Sequence, residues 1–136
     1  MTLPKTPIIL SVDDEPANLK LLEDILVPRG YEVVSVASGE DALRKIKTGT
    51  INLVLMDLML PGMDGLQVSR KIKANKKHRN IPIIILTAHT GVESFIKSLS
   101  GEVFAHLHKP FETEELVRIV RAALEQAAAD HSLPKS

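Results

Sequence analysis

"INLVLMD", residues 51–57, decides the fold. Leu53 to Met56 are all apolar, and the run then ends on a carboxylate, Asp57. "IPIIIL" (81–86) repeats the pattern and is followed by the hydroxyl of Thr87. A strand with one wet face alternates apolar and polar residues. A strand buried on both faces reads as a continuous apolar run, and such strands belong to parallel sheets covered by helices.

Three further runs of strand length flank these two: "IILSV" (8–12), "YEVVSVA" (31–37) and "VFAHLH" (103–108). The segments between them carry helical spacing. Leu19, Leu22, Ile25 and Leu26 share one helix face, opened by Pro16 and closed by Pro28 and Gly30. Ser38 and Asp41 form a capping pair ahead of Ala42, Leu43 and Ile46, with Gly49 as the stop. Leu66, Val68 and Ile72 mark a third helix, and Val92, Phe95, Ile96 and Leu99 a fourth. Leu116, Val117, Val120 and Leu124 mark a fifth, with Thr113 as its cap. Strand then helix, five times, predicts an α/β fold: a five-stranded parallel sheet flanked by five helices, in the flavodoxin-like order 2-1-3-4-5. One domain over 7–125 is expected. Residues 1–6 form an N-terminal tail. Residues 126–136, where the apolar face fades, form a C-terminal tail or the start of a linker.

The totals narrow the function classes. Seventeen basic and seventeen acidic residues leave no net field to draw the chain onto nucleic acid or acidic lipid. The absence of cysteine excludes disulfides and thiolate zinc sites. No apolar stretch nears the roughly 20 residues of a membrane helix, and "MTLPKTP" has no signal-peptide core, so a cytoplasmic location is expected.

Each of four strands gives way to polar residues. Asp13, Asp14 and Glu15 come after the first, Asp57 ends the third, Thr87 closes the fourth, and Lys109 comes after the fifth. In a parallel sheet these ends share one edge. Like charges crowded there repel, unless a divalent cation sits among them. An all-oxygen donor set suits Mg²⁺. Beside such an ion Asp57 can act as a nucleophile toward phosphorus, while Thr87 and Lys109 bind phosphoryl oxygens.

With "VDDE" (12–15), "LVLMDLMLPGMDG" (53–65), "ILTAH" (85–89) and "HKPF" (108–111), each after a strand and in this order, the chain resembles the receiver domain of two-component response regulators over residues 7 to 125. The resemblance implies Asp57 as phosphoacceptor. It implies Mg²⁺ held by Asp13, Asp14, Asp57 and the Met59 backbone carbonyl, with Asp13 acting through water. It implies Thr87 as the switch hydroxyl, Lys109 as the phosphate partner, and a cis Lys109–Pro110 bond. Pro61, Gly62 and Gly65 would shape the loop over the site. The phosphodonor would be a sensor histidine kinase or a histidine phosphotransfer protein. The output would be a downstream protein or output domain, with a homodimer through the face of the fourth helix, fifth strand and fifth helix. No direct nucleic-acid or membrane partner is implied, and no enzyme activity beyond self-catalysed phosphorylation and dephosphorylation.

Two places depart from the family pattern. His106 stands where an aromatic switch residue, Tyr or Phe, is usual, and "SLSGEVFAH" differs from the common "GAxxY" approach to it. Met59 and His89 occupy the positions two residues past Asp57 and Thr87 that influence acyl-phosphate lifetime in the family. Rival readings stand beside the sharp one. The acids could cap the first helix. His106 and His108 share a strand face and permit a zinc pair. "RKIKANKKHR" (70–79) could contact DNA. The whole chain could be a phosphate-independent interaction module, or a phosphohydrolase, against which Met59 stands where that class wants a second acid.

Overall fold

The computed structural model describes residues 6–88 and 103–132. Its elements are β1 (Ile8–Val12), α1 (Pro16–Leu26), a 3₁₀ turn (Val27–Arg29), β2 (Glu32–Val36), α2 (Gly39–Ile46), β3 (Leu53–Asp57), α3 (Gly65–Ala74), β4 (Ile83–Thr87), β5 (Ala105–His108) and α4 (Thr113–Ser132). The predicted fourth helix, with Val92 to Leu99, lies outside the described residues, so the helix predicted fifth is α4. All five strands are parallel, in the predicted order β2-β1-β3-β4-β5.

The double burial read from the sequence is realised by alternation. Leu10, Val12, Val54, Met56, Ile83 and Ile85 pack with Ala42 and Ile46 of α2 and Leu66, Val68 and Ile72 of α3. Ile9, Leu53, Leu55, Ile84, Leu86 and Leu107 point the other way, onto Leu22, Ile25 and Leu26 of α1 and Leu116, Val120, Ala123 and Leu124 of α4. Each face has its own core, and each fully buried Leu or Ile contributes about 1.5–3 kcal/mol relative to exposure.

Local chemistry sets the helix ends. Pro16 opens α1, and Gly30 ends the turn after it at φ +95°. The Ser38 hydroxyl accepts from the Asp41 amide at 3.2 Å. At α3, Asp64 accepts from the Leu66 and Gln67 amides, both at 2.9 Å, while Gln67 Oε1 accepts from the Asp64 amide at 3.0 Å. This capping box fixes where α3 starts. Thr113 is the first helical residue of α4 and not its cap, because the ladder begins at the Glu112 carbonyl, which accepts from the Leu116 amide. α4 also runs past residue 125 to Ser132, as the strong helix formers Ala127, Ala128 and Ala129 favour.

Two features hold the loops at the two edges of the sheet. Gly65 begins α3 hard against the end of β3, and a Cβ there would lie 2.3 Å from the Asp57 carbonyl oxygen. Only glycine permits that approach. At the opposite edge Lys73 Nζ donates to the Arg79 and Ile81 carbonyls at 2.8 and 2.6 Å. Burial lowers the pKa of this amine. A lysine of the basic run 70–79 is thus used to close the loop into β4.

β1 lies between β2 and β3, so the chain leaves β1 to one side and returns to its other. That reversal opens a crevice above the carboxyl ends of β1 and β3.

Candidate functional site

The crevice is built from strand ends. β1 delivers Asp13 and Asp14, β3 ends on Asp57, β4 ends on Thr87, and Lys109 comes directly after β5. Asp13 is buried and Asp14 exposed, with Asp57 between them. One carboxylate oxygen of each lies within 4.8 Å of the others, and among the described residues this trio has the spacing to hold a metal ion. The donors are all hard oxygens, the set that suits Mg²⁺.

The acids do not cap α1. Its cap residue is Glu15, whose side chain makes no capping bond. The Glu15 amide instead donates to Asp13 Oδ1 at 2.9 Å, turning the chain so that Asp13 Oδ2 faces Lys109. Lys109 Nζ lies 2.8 Å from that oxygen and 3.8 Å from Asp57 Oδ1. Asp57 also accepts from the Met59 amide at 3.3 Å.

These surroundings push Asp57 in two directions. Burial raises its pKa above the usual carboxylate range. The Lys109 ammonium and the Met59 amide oppose the rise, and Asp13 and Asp14 add to it; the net direction is up.

β4 and β5 hold the remaining groups. Thr87 is fully buried and pairs with His108 across the strands. Its carbonyl accepts from the Lys109 amide at 2.7 Å, which ties the lysine's backbone to the end of β4. The Lys109–Pro110 peptide is cis. His106 is half-buried opposite Ile85. It alternates with Leu107 and so shares the sheet face of His108, away from α1 and α4. Met59, whose carbonyl was expected to bind metal, is 55% exposed in the loop leaving β3. His89 lies outside the described residues. The expected residues Asp13, Asp14, Asp57 and Lys109 are therefore brought together, Thr87 stands beside them, and His106 is two residues before His108 on β5.

Two structural supports of the site were missed at the level of sequence. Asp64 and Gln67 carried a legible capping signal, since their three-residue spacing is that of a capping box. Gly65 was expected only to shape the loop. Its tight approach to Asp57 left no signal, since it depends on how α3 docks on β3.

Set beside this geometry, the comparisons with known proteins are decisive. The model of the response regulator receiver domain matches residues 9–121. The chain belongs to that family. Sensor protein GacS of Pseudomonas syringae pv. syringae is 38% identical over 119 residues, covering 85% of this chain and 13% of that protein. DNA-binding response regulator MtrA of Mycolicibacterium smegmatis is 37% identical over 116 residues, covering 85% of this chain and 50% of the relative. The receiver thus spans half or less of these two relatives. Among solved structures, the receiver domain of sensor histidine kinase PA1611 from Pseudomonas aeruginosa superposes with a TM-score of 0.80 at 35% identity, covering 88% of this chain and 98% of that one. That structure holds a magnesium ion in its active-site cleft. Receivers are phosphoacceptor signalling domains, and this one is a receiver of two-component signalling. Among the described residues, no helix is long and apolar enough to cross a membrane.

Proposed function

We infer that Asp57 accepts a phosphoryl group from a phosphohistidine on a sensor histidine kinase or a phosphotransfer protein. The supporting observation is the convergence of three carboxylates within 4.8 Å with the Lys109 ammonium 2.8 and 3.8 Å from two of them.

An Asp57 carboxylate oxygen attacks phosphorus, the phosphorus–nitrogen bond of the donor breaks, and the freed imidazole takes up a proton. An acyl phosphate on Asp57 results. Asp13, Asp14, Asp57 and the Met59 carbonyl would hold Mg²⁺, which when bound supplies positive charge against the incoming phosphoryl oxygens. Lys109 needs only a small shift from Asp13 to pair with one of those oxygens. The Thr87 hydroxyl donates to another. Both contacts exist only in the phosphorylated state, so they favour one arrangement of the loops after β4 and β5. A shift from mostly off to mostly on needs about 5 kcal/mol. Two or three charge-assisted hydrogen bonds, at roughly 1.5–3 kcal/mol each, cover it. His106 is the residue on β5 that would follow Thr87. The readout would be a downstream partner or output domain, or a homodimer through the β5–α4 side.

The test is intact mass at neutral pH after incubation with acetyl phosphate and Mg²⁺. One added phosphoryl group is expected, absent in Asp57→Asn and absent with a chelator. A phosphoryl group retained in Asp57→Asn would overturn the assignment.

A further inference from the structure

A second charged cleft lies away from the crevice, on the flank where the 3₁₀ turn meets α4. Arg29, Glu114, Val117, Arg118 and Arg121 line a cavity of about 250 Å³. The α4 residues stand at positions i, i+3, i+4 and i+7, one stripe of the helix. The neighbouring stripe, Leu116, Val120, Ala123 and Leu124, is spent on the core, and Val117 packs partly against it. Core packing does not explain the exposed charged residues Glu114, Arg118 and Arg121.

Three guanidiniums face a single carboxylate here, in a chain whose overall charge is balanced. Arg29 is held in place by its Nη1 donating to the Ile25 carbonyl at 2.6 Å, which leaves its other nitrogens available. Glu114 and Glu125 lie four residues from Arg118 and Arg121, the spacing of a helical ion pair. Yet among the described residues neither arginine side chain makes an ion pair or hydrogen bond. The floor is the half-buried Val117, and Val27, on the turn that carries Arg29, is 52% exposed.

We propose that this cleft docks a short acidic protein segment, with carboxylates on Arg29, Arg118 and Arg121 and one aliphatic side chain on Val117. Planar guanidiniums match carboxylates bidentately. The small volume and apolar floor fit a few side chains of such a segment. Nucleic acid is disfavoured because the cleft has no aromatic ring for a base to stack on and the chain has no net positive field. A flat anionic membrane cannot enter a concave site.

The experiment is fluorescence anisotropy on the full chain, with a short labelled peptide of glutamates flanking one leucine. Saturable binding that weakens with salt is expected. Arg118→Gln with Arg121→Gln should lose about tenfold or more in affinity. Lys71→Gln, on α3, should match the wild type, and all variants should keep acetyl-phosphate labelling of Asp57, which verifies their fold independently. Three results would overturn the proposal: equal binding by the double variant, equal binding of a peptide with glutamine in place of glutamate, or preferential binding of single-stranded DNA or phosphatidylserine vesicles at matched charge.

Discussion

β3 is one strand with two kinds of environment. From Leu53 to Met56 it is apolar and sealed on both faces; at Asp57 it becomes a carboxylate beside two others. β4 does the same, four apolar residues and then Thr87. Along the strand, side chains are chosen for volume and dryness, and they stabilise the fold. At the strand end they are chosen for charge, and they work against it: a carboxylate is desolvated and crowded by its own kind. Stability and chemistry are thus separated by a single residue, and substitutions on the two sides of that boundary should behave oppositely.

The largest effect is expected inside the strand. Leu55→Ala empties a site on the α1–α4 side of β3 and should destabilise by about 2–5 kcal/mol. Molecules still folded should label on Asp57 as the wild type does. A urea titration measures the first and intact mass the second. A loss of labelling in folded Leu55→Ala would mean that the interior and the edge are not separable.

Gly65→Ala attacks the boundary itself. Its Cβ would meet the Asp57 carbonyl oxygen at 2.3 Å. Overpacking of this kind costs about 1–3 kcal/mol. Because the displaced atoms are the backbone of Asp57, the labelling rate should fall as well, unlike in Leu55→Ala. Stopped-flow phosphorylation under conditions where both variants are folded separates the two cases.

Lys73→Met probes a charged residue that serves the fold. It leaves the Arg79 and Ile81 carbonyls without their donor, and should destabilise by about 1–2 kcal/mol. Labelling should be unchanged. Slower labelling would show that the loop at the opposite edge reaches the crevice through β4.

How much of this was legible depends on whether a signal is local. That the sheet is parallel followed from unbroken apolar runs such as 53–56 and 83–86, because double burial leaves its mark on every residue, and its order followed from the fivefold alternation of strand and helix. Asp13, Asp57 and Lys109 were legible as a group because each stands at the end of a strand, and parallel strands bring their ends to one edge. The 2.8 Å Asp13–Lys109 pair was not, since 96 residues separate the two. Nor was the role of Lys73: inside "RKIKANKKHR" it looks like its neighbours, and only the return of the chain into β4 places carbonyls around its amine. The onset of α4 was misplaced by one residue, because Thr113 has the chemistry of a cap while the backbone ladder starts at Glu112.

The smallest effect is expected at Asp57 itself, with the opposite sign. Its pKa is raised in the folded state above the usual 3.8, so folding opposes its ionisation. Well below 3.8 the carboxyl is protonated in both states and folding does not discriminate. As pH rises through the raised folded value the unfolded chain has already lost its proton, and the stability that the protonated form contributed is lost. Asp57→Asn has no such loss. Nor does it strand Lys109, which keeps Asp13 at 2.8 Å. In the presence of a chelator the variant should therefore be more stable than the wild type at neutral pH, and the advantage should vanish on acidification. Paired urea midpoints across that range measure it. A flat difference would mean that the Lys109 attraction cancels the burial of Asp57. Adding Mg²⁺ at neutral pH should then shrink or reverse the advantage, because a ligand that binds only the folded wild type stabilises it by mass action. The carboxylate that weakens the fold without a cation is the one proposed to bind it.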